Sequence, residues 1–415
     1  MTDRPTLRRL LGADGPEALV ECWGRRPLLR TAAERGGDDV GDLFSLEAVD
    51  ELVSRRGLRT PFLRVAKDGS TLPERQFTSG GGIGAGIGDQ VSEDRLLQLF
   101  GDGATIVLQG LHRTWDPVRR AAAGLAADLG HPVQVNAYVT PPQNQGFSAH
   151  YDVHDVVVVQ VHGRKRWTIS EPVLPAPLRD QPWTDRAAEV AARAREAAYL
   201  DVDLAPGDVL YLPRGWIHAA RALGGVTAHL TFGIHQWTRH HLAEAIVERA
   251  TTRLGDDPDL RASLPLGPDL TDLGSLAEEV AGARRALLRA IEELPDTEVL
   301  RVLRRRERAA QRPEPLGPLA QLAAAEELTA DTVLRLREAL LVDLLPGPEE
   351  GTVVVSSRAG RLTLDSHHVP ALRALLDARS GRVADLAADP ATALDLGRRL
   401  VRHGLVLVDG GRLGD

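Results

Sequence analysis

The sequence of 415 residues contains a single cysteine, Cys22. One cysteine excludes an intramolecular disulfide framework and a cysteine-rich zinc module. It is compatible with a reducing cytosol or with indifference to redox state. Any bound metal ion must therefore be held by nitrogen and oxygen ligands.

Long apolar runs are also missing. The N-terminal segment MTDRPTLRRLLGADG mixes charges with leucines and lacks the apolar core of a signal peptide. No later run approaches the roughly 18 apolar residues that a membrane span requires. We expect a cytoplasmic protein that does not contact a membrane.

The chain has no excess of positive charge: its net charge is -8 and its pI is near 5.9. This balance provides no global attraction for nucleic acid. The basic run from Arg301 to Arg308 is the local exception. Acidic residues intersperse these helices, so we interpret the run as a solvated helix face and expect no nucleic-acid partner.

Lysine is almost absent, because only Lys67 and Lys165 among the 50 basic residues are lysines. Coding bias in a GC-rich genome explains why arginine replaces lysine on most of the surface. The two exceptions are therefore worth testing for a specific role.

The first half of the chain has a mainly β pattern after a helical lead-in. Many short apolar runs separated by glycine and proline favour a sandwich or barrel close to a jelly roll. A glycine-rich loop at Ser79 to Gly88 lacks the spacing of a dinucleotide-binding motif. The predicted helices are Thr6 to Leu29, Ser45 to Arg55 with Ser45 as its N-cap, Pro117 to Leu129 and Thr184 to Tyr199; the predicted strands are Thr105 to Gln109, Val133 to Val139, Val153 to Val161, Arg166 to Ile169, Val209 to Leu212 and Thr227 to Ile234.

After about Arg239 the composition changes to alanine, leucine, glutamate and arginine at helical spacing. A capping box at Ser275 and Glu278 predicts the start of one helix, and another is predicted from Thr329 to Leu345. The end of the chain has the order of a winged helix, with predicted elements at Gly351 to Ser356 (strand), Pro370 to Arg379 (helix), Thr392 to Arg402 (helix) and Leu405 to Val408 (strand). We predict three domains: 1–240, 241–345 and 346–415.

A candidate metal site comes from His150, Asp152 and His218. On a strand, residues two apart point to one face, so His150 and Asp152 can converge on one ion. The pair alone is weak evidence, since roughly one His-x-Asp is expected by chance. His218 follows in LAPGDVLYLPRGWIHAA, which would return the chain to the same barrel. Two histidines and one carboxylate form the facial triad of non-haem Fe(II) oxygenases, and zinc is the chemical rival.

Lys165 follows the first ligands by one strand and one turn, in HDVVVVQVHGRKRW. Its ammonium would point into the barrel and could bind the distal carboxylate of 2-oxoglutarate, whereas a surface position is the alternative.

Among the histidines outside the candidate metal site, we expect His154 to be solvent-facing or adjacent to the ligands. His229 either lies near the pocket or is a core residue, and the remaining candidates are expected at the surface: His235, His240 and His241.

Three segments strongly resemble the Jumonji C ribosomal oxygenase group of cupin-like proteins: GATIVLQGLHRTWDPV, VQVNAYVTPPQNQGFSAHYDVHDVVVVQVHGRKRW and LAPGDVLYLPRGWIHAA. The helical lead-in ALVECWGRRPLLR fits as well, so the resemblance runs from about Ala18 to Ile234. It implies a mainly β catalytic domain with a double-stranded β-helix fold, an α-helical dimerisation domain and a C-terminal winged-helix domain.

The resemblance also implies roles for individual residues. By position, the iron ligands of the group match His150, Asp152 and His218, and its 2-oxoglutarate anchor matches Lys165. Asn136 and Tyr138 match pocket residues that orient the target in histidine-directed members, whereas arginine-directed bacterial relatives usually carry arginine at the anchor and lack this pair. The sequence departs from the histidine-directed members near Gly233, where they have a serine, so the target residue stays open.

The expected function is hydroxylation of a protein side chain, favouring a histidine of a ribosomal protein, by Fe(II), 2-oxoglutarate and O₂, with no catalytic residue beyond the metal site. A homodimer is expected. Two alternatives stay open: a hydroxylase of a small molecule or biosynthetic peptide, since the same core serves those chemistries, and a non-catalytic interaction protein that keeps the barrel as a scaffold.

Overall fold

The computed structural model describes residues 3–37, 40–67, 69–142, 144, 147–267, 269, 271–272, 274–310 and 312–408. The chain divides into two compact units, Met1–Gln236 and Trp237–Asp415. In the described ranges, no helix combines the length and the apolar character that crossing a membrane requires.

The first unit is mainly β. Its strands are β1 (Leu28–Arg30), β2 (Leu63–Lys67), β3 (Ser70–Thr71), β4 (Thr78–Ser79), β5 (Gln90–Val91), β6 (Thr105–Leu108), β7 (Val133–Thr140), β8 (Asp155–Ser170), β9 (Leu200–Leu204), β10 (Val209–Leu212) and β11 (Ile217–Ile234). Its α-helices are α1 (Pro5–Leu11), α2 (Gly15–Cys22), α3 (Leu46–Arg55), α4 (Glu93–Gly101), α5 (Asp116–Leu129) and α6 (Ala187–Arg193).

Nine of these strands form one sheet in the order β1-β10-β8-β11-β7-β6-β2-β3, and β9 pairs with β8. The first half of β8 pairs with β10, whereas its second half pairs with β9. Because β8 and β11 are 16 and 18 residues long, each takes part in two segments of the sheet. The ribbon of β4 and β5 flanks the glycine-rich loop.

Two predicted strand breaks are wrong. The predicted strands Val153 to Val161, from its third residue on, and Arg166 to Ile169 belong to the single strand β8, and Thr227 to Ile234 is only the second half of β11. The glycine at the predicted break, Gly163, has a φ of 63°, and the register of β11 shifts between Leu223 and Ala228 on the opposite side. Irregularities on both strands compensate each other, so pairing continues past the glycine.

The lead-in is partly as predicted. Ser45 caps α3 by accepting a hydrogen bond from the backbone N–H of Ala48 at 3.2 Å, which confirms the predicted N-cap. The predicted helix from Thr6 to Leu29 is interrupted at Gly12, with a φ of 90°, and its last residues instead pair with β10 as β1.

The strand β7 separates the apolar core from the opposite side of the sheet. Val135, Ala137 and Val139 are buried in the main core. Because side chains alternate along a strand, the residues between them face the other side. That second side carries the polar groups of the candidate site.

The second unit combines helices and short strands. Its helices are α7 (Arg239–Leu254), α8 (Ala277–Glu292), α9 (Asp296–Ala310), α10 (Pro318–Glu326), α11 (Val369–Ala378) and α12 (Pro390–Arg402). Its strands are β12 (Val333–Leu336), β13 (Asp343–Pro346), β14 (Thr352–Ser357), β15 (Gly360–Asp365), β16 (Ser380–Arg382) and β17 (Val406–Val408). They form two three-stranded sheets, β16-β12-β17 and β13-β14-β15.

Two predictions in this unit are wrong. The segment Thr329 to Leu345 is not a helix, because it contains β12 and the start of β13. Leu334 and Leu336, two residues apart, are buried in the core of this unit, and that spacing selects a strand. Ser275 does not cap α8: it precedes the N-cap Leu276, and its hydroxyl donates to a backbone carbonyl instead.

The predicted strands and helices after residue 350 are present as β14, α11, α12 and β17. The end of the predicted domain 346–415, residues 409–415, lies outside the described residues. The three domain limits stay a prediction.

Candidate metal centre and its pocket

The three predicted metal ligands lie where the chain before β8 meets the start of β11. His150 and His218 are paired by two backbone hydrogen bonds of 3.1 and 2.8 Å. The carbonyl of Asp152 accepts a bond from the backbone N–H of Gly215 at 3.0 Å. These backbone contacts bring together ligands that are 66 residues apart in the sequence.

The ligand atoms of His150, Asp152 and His218 all lie within 4.8 Å of one another. A carboxylate oxygen of Asp152 is 3.6 Å from Nε2 of His218. The Nδ1 atoms of the two histidines face the carbonyls of Ser148 at 2.7 Å and Trp216 at 3.1 Å. Each Nδ1 must therefore carry the proton, so each Nε2 is free to bind a metal.

The local electrostatics also favour ligand forms. Burial lowers the pKa of His218 to about 4, so its imidazole is neutral at physiological pH. Burial alone would raise the pKa of Asp152, but His154, His218 and His150 together hold it below its ordinary value. A neutral imidazole and an ionised carboxylate are the forms that metals bind.

The donor set of two nitrogens and one carboxylate fits Fe(II), which uses such a face and leaves three positions for other ligands. Among the described residues, one further group could hold a metal: Asp365, His367 and His368 in the second unit. Its members lie at one turn, and two of them are exposed.

Lys165 is buried, with 3% of its surface exposed. Its ammonium nitrogen lies 3.2 Å from Oγ1 of Thr140 and 3.4 Å from Nδ1 of His229. In the part of the chain that the structure describes, no carboxylate forms an ion pair with it, and burial lowers its pKa to about 7. A buried amine without a counter-charge is costly, and an anionic ligand would remove that cost.

The predicted ligands and Lys165 line one cavity of about 60 Å³. Aromatic, threonine and small apolar side chains complete its walls: Thr105, Tyr138, Phe147, Val156, Val158, Trp167, Ala220, His229 and Thr231. The cavity thus joins a metal-binding face to a buried cation.

The predicted pocket residues Tyr138 and Asn136 are on β7. Tyr138 lines the cavity and stacks on His229, with ring centroids 4.9 Å apart and planes at 1°. Burial raises the pKa of the Tyr138 phenol, which also interacts with Arg64 and Asn136. Asn136 itself is not among the cavity walls, and its Oδ1 accepts a hydrogen bond from Gly110 N–H at 3.0 Å.

Two of the histidines considered in the sequence have definite places. His229 is a buried wall of the cavity. His241 caps α7 together with Thr238. Sequence reasoning missed Thr105, Thr140, Phe147 and Trp167; Thr140 could have been found, since it continues the alternation of Asn136 and Tyr138 along β7.

Comparisons with known proteins find similarity in the part of the chain that carries this site. Residues 116–242 match the family model described as the JmjC domain. The chain is 34% identical over 159 residues to the bifunctional lysine-specific demethylase and histidyl-hydroxylase NO66 of Drosophila persimilis, a stretch that covers 38% of this chain and 22% of that protein. It is 34% identical over 146 residues to ribosomal oxygenase 1 of Homo sapiens, covering 34% of this chain and 22% of that protein. The chain therefore spans about a fifth of the length of these curated relatives.

Solved structures resemble the chain over most of its length. The ribosomal oxygenase YcfD of Escherichia coli, in complex with cobalt and 2-oxoglutarate, matches with a TM-score of 0.51 and 19% identity, covering 96% of this chain and 99% of that one. Another X-ray structure, of E. coli ycfD, matches with a TM-score of 0.53 and covers 95% of this chain and 98% of that one. At this identity the likeness shows the fold, and with the JmjC match it confirms the predicted mainly β, cupin-like domain. The chain therefore contains a JmjC domain at residues 116–242, and over about a third of its length it is similar in sequence to histidyl-hydroxylase NO66 and ribosomal oxygenase 1.

Proposed function

We propose that this chain is an Fe(II) and 2-oxoglutarate dependent oxygenase that hydroxylates a side chain of another protein. The observation that carries the proposal is the single cavity that contains both the metal-binding face and the buried, uncompensated Lys165. A metal face alone would fit many reactions. A metal face with a buried cation fits a co-substrate that chelates metal at one end and carries a carboxylate at the other.

The chain's residues have separate tasks in this proposal. His150, Asp152 and His218 hold the iron, and the carbonyls behind the two histidines fix their rings. Lys165 and Thr140 receive the distal carboxylate of 2-oxoglutarate. Fe(II) with 2-oxoglutarate and O₂ supplies the oxidation, whereas the protein positions the substrate and excludes water.

We propose a histidine of a ribosomal protein as the target. Tyr138 at the cavity wall and Asn136 beside it provide polar groups that can orient a target side chain. The printed names of the relatives, histidyl-hydroxylase NO66 and ribosomal oxygenase 1, support this choice. The glycine at position 233 leaves the target residue open. A hydroxylase of a small molecule or biosynthetic peptide is the second candidate, since the same core serves those chemistries.

The second unit provides the basis for a proposed oligomeric state. We propose that the helical region 241–345 forms a homodimer and that the C-terminal region is a winged helix. An apolar cavity of about 360 Å³ between α7, α8 and α9 supports the dimer, since Leu242 and Leu300 at its walls are both exposed. Sedimentation at several concentrations should give twice the 44.8 kDa chain mass, and Leu300→Arg should give the monomer. A cytoplasmic location and the absence of a nucleic-acid partner stay predictions.

The function is tested by mass spectrometry of ribosomal proteins incubated with the chain, Fe(II), ascorbate and 2-oxoglutarate. We expect one added oxygen on a histidine, abolished in the His150→Ala variant. His367→Ala is the matched control, since it removes a histidine from the other candidate metal group and should leave the modification intact. Consumption of 2-oxoglutarate without any modified ribosomal protein would shift the assignment to a small molecule or peptide. Failure of both readouts would support a non-catalytic interaction protein.

A further inference from the structure

A row of polar side chains runs along one side of the sheet past the metal-binding face. Alternate residues of β7 and their register partners on β11 form it: Gln134 with Gly233, Asn136 with Thr231, Tyr138 with His229, and Thr140 with Thr227. Lys165 contacts the Thr140 end. At about 3.3 Å per residue, the Gln134 end lies roughly 20 Å away along the strand. The co-substrate end and the opposite end of the row are therefore distinct.

His154 occupies the end of the row that is remote from Lys165. Its Nε2 lies 3.2 Å from the amide nitrogen of Gln134. A Cβ at Gly233 would come within 2.9 Å of the same Nε2. Gly233 does not have a left-handed backbone, so its lack of a side chain provides space and not conformational freedom. The imidazole of His154 fills the space that a side chain at position 233 would need.

The contact with Gln134 determines which nitrogen of His154 carries the proton. In the orientation that the structure gives the Gln134 amide, its nitrogen faces Nε2. Because an amide nitrogen donates, Nε2 then accepts and Nδ1 carries the proton. Nδ1 is buried, and no described group is hydrogen-bonded to it. Buried donors without a partner are rare in folded proteins, and each calls for an explanation such as a missing ligand.

A donor of this kind selects its ligand by chemistry. It can pair with a neutral imidazole, a side-chain amide or a peptide carbonyl, whereas arginine and lysine side chains only donate. None of the residues of the row is a carboxylate, and in the proposed function the nearby carboxylate of Asp152 binds the metal. Arg64 also places positive charge beside Tyr138. The site therefore favours a neutral, hydrogen-bond-accepting group.

We propose that His154 and Gln134 form an outer subsite of the substrate pocket, in which Nδ1–H of His154 donates to a neutral acceptor on the target, an imidazole or amide side chain. This inference rests on the proposed function and narrows its substrate class. Arginine is disfavoured as the target.

The protonation of His154 and its contact with a ligand can be measured without turnover. Ring ¹⁵N shifts of histidine-labelled protein, loaded with Zn(II) and 2-oxoglutarate, should show His154 protonated on Nδ1, with its signal assigned from the His154→Asn variant. Adding N-acetyl-histidine N-methylamide should shift that signal, and the matching arginine compound should not. A proton on Nε2, or an equal response to both probes, would overturn the proposal.

Steady-state kinetics with the hydroxylated ribosomal peptide test the same contact in the enzyme. His154→Ala should raise KM for the peptide at least tenfold while KM for 2-oxoglutarate stays unchanged. His154→Asn, whose amide nitrogen reaches about as far as Nδ1, should recover most of that loss. Equal defects in the alanine and asparagine variants, or no change in the peptide KM, would contradict a hydrogen-bonding role.

The two proposals fail in different ways. If no ribosomal peptide is hydroxylated by the wild-type chain, the proposed function fails, and the probe titration still decides the subsite. If a peptide is hydroxylated and His154→Ala leaves its KM unchanged, only the subsite fails. Gly233→Ser provides a further check, since its side chain should displace His154 and reproduce the alanine phenotype with the triad intact.

Discussion

At the scale of single residues, Lys165 is the most informative side chain of the pocket. It is buried, its partners Thr140 and His229 carry no negative charge, and its pKa is lowered to about 7. Holding a cation there costs free energy until an anion arrives. This is why we propose Lys165 as the residue that binds the distal carboxylate of the co-substrate.

This chemistry predicts a pH dependence of 2-oxoglutarate binding. Because the carboxylate binds the protonated amine, binding takes up a proton once the pH exceeds the free-protein pKa of about 7. The dissociation constant should be nearly flat below that pH. Above it, the constant should rise toward about tenfold per pH unit. Calorimetric titration of the Mn(II)-loaded chain with 2-oxoglutarate from pH 6 to 9 measures this dissociation constant.

Lys165→Arg is the control for this pH dependence. Guanidinium stays charged throughout that range, so any binding that the variant retains should not change above pH 7. A wild-type dissociation constant that stays constant between pH 7 and 9 would contradict the role of Lys165 as the anchor.

Lys165 stands out in the sequence because lysine is nearly absent from the chain. Spacing and surrounding motifs pointed to the triad. The family resemblance pointed to Asn136 and Tyr138, and of these two Tyr138 lines the cavity. The contact of His154 with Gly233 could not be predicted, because it depends on the register between β7 and β11 and on a side-chain rotamer. Neither has a signal in a single sequence.

At the scale of secondary-structure elements, the long hairpin of β8 and β11 holds the site together. Gly163 lies within β8 with a φ of 63°, and a Cβ there would come within 2.2 Å of the Val226 carbonyl oxygen. The backbone of the opposite strand cannot yield easily. Lys165 follows two residues later, so the local path of β8 also sets the direction of the anchor.

The close approach at Gly163 predicts the cost of adding a methyl group. Gly163→Ala should lower the free energy of unfolding by more than about 2 kcal/mol, since backbone strain and a collision add. Gly224→Ala is the matched control. Gly224 also has a positive φ, of 75°, but no atom lies within 4 Å of the position that a Cβ would take there. This substitution should cost only about 1 kcal/mol. Denaturant unfolding of both variants provides the comparison.

The Gly163→Ala and Gly224→Ala variants also distinguish an effect on stability from an effect on ligand binding. Gly163→Ala should also weaken 2-oxoglutarate binding at a pH where the wild type binds well, because the anchor moves with β8. Equal effects of the two substitutions on stability would mean that the hairpin relaxes around the added methyl group.

The errors in element prediction have a common physical origin. Gly163 was interpreted as a turn, yet two irregularities on facing strands cancel and the pairing continues. The segment Thr329 to Leu345 contains good helix formers, yet Leu334 and Leu336 are buried at a spacing of two residues. In both cases long-range pairing overrides a local preference that is the only signal available in the sequence.

At the scale of the whole molecule, the two compact units differ in what they can bind. The triad and Lys165 all belong to Met1–Gln236. The family motifs end near Ile234, so composition and periodicity are the only sequence signals for the second unit, which contains the wrongly predicted helix Thr329 to Leu345. Ligand binding and unfolding should therefore be coupled in one unit only.

This separation predicts two thermal transitions with different ligand responses. Under nitrogen, Mn(II) with 2-oxoglutarate at about 100 times its dissociation constant should stabilise the first unit by about 2.7 kcal/mol and move one transition upward. The other transition should stay in place. His150→Ala should abolish the shift and His367→Ala should preserve it, as differential scanning calorimetry can measure. A single transition that shifts as a whole would show that the two units unfold together. If the second transition shifts instead, and this shift is lost in His367→Ala, the result would reveal metal binding at Asp365, His367 and His368.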